Sequence, residues 1–209
     1  MFLRLHLKII KRKFFSFTFV KWWIRGFEPP SPQFIKLRIL LRNSIPGAPW
    51  VETGTYLGET TKFLSKNSKM VVSIEPAALL YEFATKRLSR LNNMQIVFGT
   101  REEVFETIIA KLEGEANFWL DGHASGDMTF SNQEVTPIVH ELEILAKHLS
   151  RFDRCVVFVD DIRGFSNNDE DGSYPSKEYL IDWANANNLT WQIKHDIFIA
   201  KTIKVGERN

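Results

Sequence analysis

Acidic side chains recur at the ends of short apolar runs in this chain. Five runs have the length and composition of buried strands, at Trp50–Thr53, Met70–Ile74, Gln95–Phe98, Asn117–Leu120 and Val156–Val159. Four of their carboxyl ends carry carboxylates, which belong to Glu52, Glu75, Asp121 and the pair Asp160 and Asp161. Because ligands bind beyond the carboxyl ends of parallel strands, we expect these groups to face one site. Carboxylates there can accept hydrogen bonds from hydroxyl groups or hold a divalent cation.

The first of these strand ends leads into a turn with two glycines, in the stretch VETGTYLGETT. Gly54 and Gly58 allow the backbone to turn tightly or to approach a ligand closely. Glu75 follows Gly54 by 21 residues, at the end of the second predicted strand. A carboxylate at that place can accept hydrogen bonds from both hydroxyls of a ribose. Since the dinucleotide fingerprint G-x-G-x-x-G is absent, the pattern indicates a nucleoside ligand without a pyrophosphate.

Helical patterns alternate with the strands and must position these carboxylates. Between the strands, apolar residues recur at spacings of three and four, as on helices with one buried face. In VTPIVHELEIL, Thr136 is a predicted N-cap and Pro137 the first helical residue. The last two apolar stretches, LTWQIKHD and IFIAKTIKV, predict an antiparallel hairpin. The sequence thus predicts an α/β fold: a doubly wound, mostly parallel seven-stranded sheet with a C-terminal antiparallel hairpin and helices on both faces.

From Trp50 to Val205 the chain resembles the Rossmann-like S-adenosylmethionine-dependent methyltransferases. Their first motif, an acid followed by glycines, is matched by Glu52, Gly54 and Gly58, although Tyr56 stands where the middle glycine is usual. Their ribose-binding acid is matched by Glu75. The resemblance implies S-adenosylmethionine as cofactor, with the following residues around it: Glu52, Thr53, Gly54, Tyr56, Gly58, Thr60, Glu75, Gly99, Thr100, Arg101 and Asp121. Thr100 and Arg101 stand where that family often has an acid near the adenine.

The acids after the fourth and fifth strands are similar to those of the metal-dependent sugar and macrolide O-methyltransferases, and of the catechol type. Those enzymes carry an acid after the fourth strand and an acidic pair, or Asp-Asn, after the fifth. The resemblance implies that Asp121, Asp160 and Asp161 hold Mg²⁺ or another divalent cation in octahedral coordination. In the alternative interpretation, Asp160 caps a loop and Asp121 contacts only the methyl donor.

His123 and Asp121 are the candidate catalytic residues, because they lie on the same predicted loop. Methyl transfer from a sulfonium is an in-line displacement, in which His123 would take the proton of the accepting hydroxyl. The resemblance implies an O-methyltransferase whose acceptor is a sugar, a glycan or another polyhydroxylated small molecule. Two alternatives stay open, a metal-independent methyltransferase and a non-catalytic module attached to a membrane or assembly. A loop histidine without catalytic function is also compatible with the sequence.

The N-terminal region differs in charge from the rest of the chain. Residues 1–42 contain ten Lys/Arg and one acid, a net charge of +9, so the remainder carries −7 of the overall +2. Prolines in FEPPSPQF and IPGAP flank a short predicted helix, Gln33 to Arg42, and mark a connector. We therefore predict a basic, aromatic arm and connector at residues 1–48, and a Rossmann-like methyltransferase domain at residues 49–209.

The arm either packs on the body or on another subunit, as in a homo-oligomer, or lies on an anionic membrane surface. Nucleic acid is not an expected partner, because the body is acidic and shows no basic groove pattern. The apolar run Phe14–Val20 is too short to span a bilayer, and it lacks the cleavage site of a secretory signal. The single cysteine, Cys155, excludes an internal disulfide. We predict a cytoplasmic protein, peripheral to the membrane if the arm attaches it.

Overall fold

A computed structural model of the chain describes residues 15–121, 137–165 and 174–202. The strands are β1 Trp50–Thr53, β2 Val71–Glu75, β3 Met94–Phe98, β4 Gly114–Leu120, β5 Phe152–Val159, β6 Leu189–Lys194 and β7 Ile197–Thr202. The helices are α1 Phe15–Ile24, α2 Gln33–Asn43, α3 Glu59–Ser65, α4 Ala78–Leu88, α5 Arg101–Ile109, α6 Pro137–His148 and α7 Lys177–Ala186. One sheet has the order β3-β2-β1-β4-β5-β7-β6, and β7 runs antiparallel to both neighbours. The predicted fold class is confirmed.

Helices cover both faces of the sheet because the central strands are apolar on both sides. Phe118 of β4 and Val157 of β5 belong to a core cluster that contains residues of α5, α6 and α7. The next residue along each strand, Trp119 and Phe158, belongs to a second cluster with residues of α2 and α3. Successive side chains of a strand point to opposite faces, so runs of consecutive apolar residues fill both clusters.

The two strands that are followed by aspartates, β4 and β5, are longer than their apolar runs. β4 begins three residues and β5 four residues before the predicted starts at Asn117 and Val156. Their early parts pair with each other through Glu115 and Arg154, which are register partners joined by a 2.6 Å ion pair. Charged residues that satisfy each other across strands interrupt the apolar pattern, so both strands start earlier than their apolar runs predict.

The predicted connector contributes to the core of the sheet. Ile39 and Leu40 of α2 belong to the same buried cluster as Trp50 of β1. The buried side chain of Asn117 donates to the carbonyl of Ile45 at 3.1 Å and accepts from its N–H at 2.8 Å. Residues 33–48 are therefore packed and hydrogen-bonded to the central strands. The division of the chain into two parts at residue 48 stays a prediction.

The described part of the arm is the helix α1 and the turn that follows it. Trp22 is only 4% exposed and packs its ring against Phe27 and against His195 in the β6–β7 turn, with ring centroids 4.9 and 5.3 Å apart. α1 is thereby attached to the hairpin edge of the sheet. Among the described helices, none has both the length and the apolar character needed to cross a bilayer.

Candidate active site

The turn after β1 is closely packed at its two glycines. Gly54 has φ +92°, and a Cβ at this position would lie 2.5 Å from the carbonyl oxygen of Asp121 at the end of β4. Gly58 has φ +71°, and its Cβ would lie 2.7 Å from Leu88 of α4. From the sequence, these glycines are expected to permit a tight turn or close approach of the backbone to a ligand. The structure shows that they also permit close approach of β4 and α4 to the turn.

Glu75 connects the end of β2 to this turn. Its Oε2 accepts the N–H of Tyr56 at 2.7 Å, and its Oε1 accepts the N–H of Ala77 at 3.0 Å. Tyr56 has φ +50°, so the position where the middle glycine is usual adopts a left-handed conformation with a tyrosine. Burial raises the pKa of Glu75 above its usual value, against the two backbone hydrogen bonds and the charge of Arg101, which lower it. The predicted ribose-binding acid is thus fixed beside the turn.

Arg101, at the start of α5, lies against the same turn. Its Nη2 donates to the carbonyl of Asp121 at 3.1 Å, and its Nε lies 3.4 Å from Oε1 of the fully buried Glu141 in α6. The same Nη2 would lie 3.6 Å from a Cβ at Gly54. Nη1 is buried and has no hydrogen-bond partner among the described residues. Arg101 therefore presents an unused donor next to the turn after β1.

Glu52, the acid that begins the predicted motif, lies inside the core. It is 1% exposed, and its Oε2 accepts hydrogen bonds from Thr61 Oγ1 at 2.5 Å and Ser73 Oγ at 2.7 Å. Its Oε1 is buried without a hydrogen-bond partner among the described residues. Burial raises the pKa of Glu52 to about 8, because two neutral donors compensate only part of the lost hydration. Glu52 is therefore protonated at neutral pH.

This protonation predicts a pH-dependent stability that Glu52→Gln removes. Between pH 4.5, the ordinary pKa of a glutamate side chain, and about pH 8, the folded protein keeps a proton on Glu52 that the unfolded chain releases. The free energy of unfolding should therefore fall as pH rises through this window, by at most about 1.4 kcal/mol per pH unit from this group. Urea unfolding across the window should show a smaller slope in Glu52→Gln than in the wild type. Equal slopes would show that Glu52 is ionised in the folded protein.

The acids after β4 and β5 form a cluster that contains a lysine. Carboxylate oxygens of Asp121, Asp160 and Asp161 all lie within 4.8 Å of one another. Lys36 of α2 reaches into this group, and its Nζ donates to Asp160 Oδ1 at 2.8 Å, Asp160 Oδ2 at 2.7 Å and Asp161 Oδ1 at 2.7 Å. The three acids converge, as expected from their positions at the strand ends. The sequence did not predict the ammonium group that binds two of them.

The charges of the cluster hold Lys36 protonated. Burial by itself would lower the pKa of the Lys36 ammonium, but attraction to Asp160 and Asp161 outweighs it and raises the pKa. Burial, followed by the charge of Asp121, raises the pKa of Asp160 to about 7. Burial also acts to raise the pKa of Asp161, but Lys36 and Arg163 lower it below its usual value. The cluster thus combines an ionised Asp161 with an Asp160 that titrates near neutral pH.

A second cation connects the cluster to the hairpin. Nη1 of Arg163 lies 2.6 Å from Asp161 Oδ1 and also contacts Oδ2 of the buried Asp196 in the β6–β7 turn. The backbone N–H of Arg163 donates to Asp196 Oδ1 at 3.0 Å. Asp161 has φ +54° and begins a 3₁₀ turn over Ile162–Gly164. These contacts fix the segment after β5, and with it the acidic pair, against the β6–β7 turn.

The periodicity of α2 contained a signal for Lys36. The buried residues of this helix are Lys36, Ile39, Leu40 and Asn43, at the spacings of one helical face. A lysine on the apolar face of an amphipathic helix is rarely buried without a partner, so it indicates a paired or functional group.

His123, the predicted base, lies outside the described residues together with the rest of the loop 122–136. Its role stays a prediction.

The other residues predicted around the cofactor lie at the same sheet edge. Thr53 is fully buried at the end of β1, and Thr60 in α3 accepts a 3.0 Å hydrogen bond from Gln33 Nε2 of α2. Gly99 and Thr100 form the link between β3 and α5. The carboxyl ends of β1 to β5 therefore bring together a glycine turn, buried acids and three cations, Lys36, Arg101 and Arg163. Such an edge suits a nucleoside ligand beside a polar acceptor.

No family model matches the chain, and no curated protein matches it. Among solved structures it is similar to the N-methyltransferase NodS from Bradyrhizobium japonicum, with a TM-score of 0.53 and 14% identity over 81% of this chain and 94% of that one. It is also similar to a Streptococcus mutans protein in complex with SAH, with a TM-score of 0.52 and 15% identity over 83% and 97% of the two chains. A third similar structure is the 23S rRNA methyltransferase ErmE, with a TM-score of 0.51 and 14% identity over 84% and 69%.

At these identities the similarity concerns the fold. The chain has the fold of the S-adenosylmethionine-dependent methyltransferases, as the resemblance at the first strand predicted. The similar structures include proteins named for N-methyl transfer and for rRNA methylation. The predicted similarity to the sugar and macrolide O-methyltransferases stays a prediction.

Proposed function

We propose that this protein is an S-adenosylmethionine-dependent methyltransferase that methylates a hydroxyl of a sugar or another polyhydroxylated small molecule. The observation that carries the donor half of this proposal is Glu75, a buried carboxylate fixed by hydrogen bonds to Tyr56 and Ala77 at the end of β2. Each of its carboxylate oxygens accepts one hydrogen bond from a backbone N–H and retains a lone pair for a ribose hydroxyl.

The residues around the turn after β1 fit the donor's amino-acid part. Nη1 of Arg101 is a buried donor that lacks a partner among the described residues, and the guanidinium lies beside Gly54. A guanidinium binds a carboxylate through charge-assisted hydrogen bonds, so Arg101 would hold the carboxylate of S-adenosylmethionine. When bound, that cofactor supplies the electrophilic methyl group. The protein's task is to hold donor and acceptor in line.

The acidic cluster supports a hydroxyl acceptor. Carboxylates of Asp121, Asp160 and Asp161 can each accept a hydrogen bond from an acceptor hydroxyl, which orients its oxygen. Asp160, with a pKa of about 7, can take the hydroxyl proton when the oxygen–methyl bond forms. His123 remains the other candidate base on sequence grounds. The products of the transfer would be the methyl ether, a proton on the base and S-adenosylhomocysteine.

We propose that the Lys36 ammonium takes the place of a divalent cation in this cluster, which makes the transfer independent of metal. The ammonium already contacts three oxygens of Asp160 and Asp161 at 2.7–2.8 Å, so a divalent ion would have to displace it from them. The three carboxylates within 4.8 Å are the observation that favours the alternative, a Mg²⁺-assisted enzyme. In that case Asp121, Asp160 and Asp161 would be the ligands after Lys36 has moved away.

The donor site is tested by the affinity for S-adenosylhomocysteine, measured by calorimetry. Glu75→Ala should weaken binding by about 30-fold, because lost hydrogen bonds to a charged group contribute about 2 kcal/mol. Glu115→Ala is the matched control. Glu115 lies near the amino end of β4, away from the carboxyl ends that form the site, and pairs with Arg154. Equal affinity of Glu75→Ala and wild type would remove Glu75 from the site. A wild-type protein that does not bind S-adenosylhomocysteine would disprove the proposed function.

A further inference from the structure

Helix α1 leaves a large apolar surface exposed. Trp22 attaches the helix to the protein, but Trp23 is 61% exposed and Ile24 is 75% exposed. Phe27 in the following turn is 47% exposed, and Val20 on the preceding turn of the helix is 44% exposed. These four exposed side chains are called the α1 apolar surface below. Exposed aromatic and aliphatic side chains grouped in this way mark an interaction site.

A cavity of about 680 Å³ lies between α2 and the β6–β7 turn. It is lined by Ile35, Arg38, Ile39, Arg42, Asn43, Lys194 and His195. Within the part of the chain that the structure describes, Arg38, Arg42 and Lys194 make no ion pair with a carboxylate. The cavity therefore collects positive charge without a described counter-charge.

Asn43 shows how this positive charge is accommodated. Its Oδ1 accepts from Gln192 at 3.2 Å, from Lys194 at 3.3 Å and from Lys201 at 3.4 Å. Two ammonium groups thus converge on a neutral amide oxygen. Burial, and then the charge of Lys194, lower the pKa of Lys201. An anion in this cavity would relieve the repulsion between them.

The cationic cavity and the α1 apolar surface adjoin each other. His195 lines the cavity, and its ring packs on Trp22 of α1 at a centroid distance of 5.3 Å. In the sequence, α1 is preceded by five basic residues, Arg4, Lys8, Lys11, Arg12 and Lys13. Apolar side chains beside basic ones match the surface of an anionic bilayer, where acyl chains lie just below phosphate groups.

We propose that this side of the protein docks on a membrane that contains anionic phospholipid. The α1 apolar surface enters the headgroup boundary, and the cavity between Arg38, Arg42 and Lys194 receives a lipid phosphate. The attachment is peripheral. It is independent of the proposed methyl transfer, since none of these residues belongs to the donor site or the acidic cluster.

Co-sedimentation of the full chain with vesicles tests the proposal. The wild type should bind phosphatidylcholine vesicles that contain about 30 mol % phosphatidylserine, and binding should weaken as salt is added. Arg38→Gln with Arg42→Gln should weaken this binding by about 30-fold. Trp23→Ser with Ile24→Ser should weaken it by at least about tenfold. Circular dichroism would confirm that these surface variants are folded.

A matched control separates the cavity from general charge attraction. Lys111→Gln with Lys147→Gln removes the same charge from exposed positions next to α5 and on α6, which cover the other face of the sheet. If the control variant binds anionic vesicles as well as the wild type, the cavity is supported as the phosphate site. If it loses as much affinity as Arg38→Gln with Arg42→Gln, the cavity is not the phosphate site. Three other results would overturn membrane docking: no binding of the wild type to anionic vesicles, binding of inorganic phosphate without vesicle binding, or a dimer that Trp23→Ser dissociates.

Discussion

Lys36→Ala is expected to lower the free energy of unfolding by about 3–5 kcal/mol near pH 8 in the presence of a chelator. The ammonium is buried, and it contacts three oxygens of Asp160 and Asp161 at 2.7–2.8 Å. Its removal leaves the carboxylates close together without their main cation. Because Lys36 lowers the pKa of Asp160, that pKa rises above about 7 in the variant, and taking up a proton at pH 8 itself costs free energy. Urea unfolding measures the change.

The same variant should gain affinity for a divalent cation. With Lys36 absent, Asp121, Asp160 and Asp161 offer oxygens within 4.8 Å of one another, a set that suits Mg²⁺ or Mn²⁺. Calorimetry should show Mn²⁺ binding to Lys36→Ala at least about tenfold more tightly than to the wild type, and Mn²⁺ should restore part of the lost stability. Arg38→Ala, an exposed position on the same helix, should change neither quantity.

Two outcomes would contradict the assignment of Lys36 as resident cation. The wild type could bind Mn²⁺ with high affinity that Asp160→Asn abolishes, in which case the metal displaces the lysine and the Mg²⁺-assisted alternative is correct. Lys36→Ala could also be as stable as the wild type at this pH. The ion pairs would then not stabilise the folded protein.

Gly54→Ala is expected to destabilise the protein by about 2–5 kcal/mol, the second largest effect we predict. The residue has φ +92°, and an added Cβ would lie 2.5 Å from the carbonyl oxygen of Asp121. Because that oxygen belongs to the backbone and also accepts from Arg101, it cannot move without disturbing the ends of β1 and β4. Urea unfolding of the purified variant gives the value.

Gly47→Ala separates the steric contact from the backbone strain. Gly47 also has a positive φ, +74°, but a Cβ there would have nothing within 4 Å. Its substitution should therefore cost only the strain of a left-handed conformation, about 1–2 kcal/mol. Equal destabilisation by the two substitutions would show that the approach of Asp121 to Gly54 does not constrain the turn.

The sequence predicted the elements of the sheet because their physical signals are local. Buried strands appear as apolar runs, and β1 was predicted at its observed bounds, Trp50–Thr53. The early parts of β4 and β5 were missed, since Glu115 and Arg154 satisfy each other only after the two strands have paired. A local sequence pattern cannot predict that a charged residue belongs to a strand when its partner lies 39 residues away.

Within the site, the sequence by itself determined which strand ends carry acids and glycines. Parallel strands end at one edge, so the strand–helix alternation places Glu75, Asp121, Asp160 and Asp161 at the same edge of the sheet. Their order along the chain was enough for this prediction. It required no knowledge of which side chains touch.

Only the tertiary structure shows which cation pairs with these acids and which of the acids are ionised. Lys36 lies 124 residues before Asp160, and it enters the cluster only because α2 packs its apolar face on the sheet. Burial in the core also raises the pKa of Glu52 to about 8, so the first acid of the motif is neutral at pH 7. Hydration and long-range pairing determine the charge of a carboxylate, and both are properties of the folded molecule rather than of neighbouring residues in sequence.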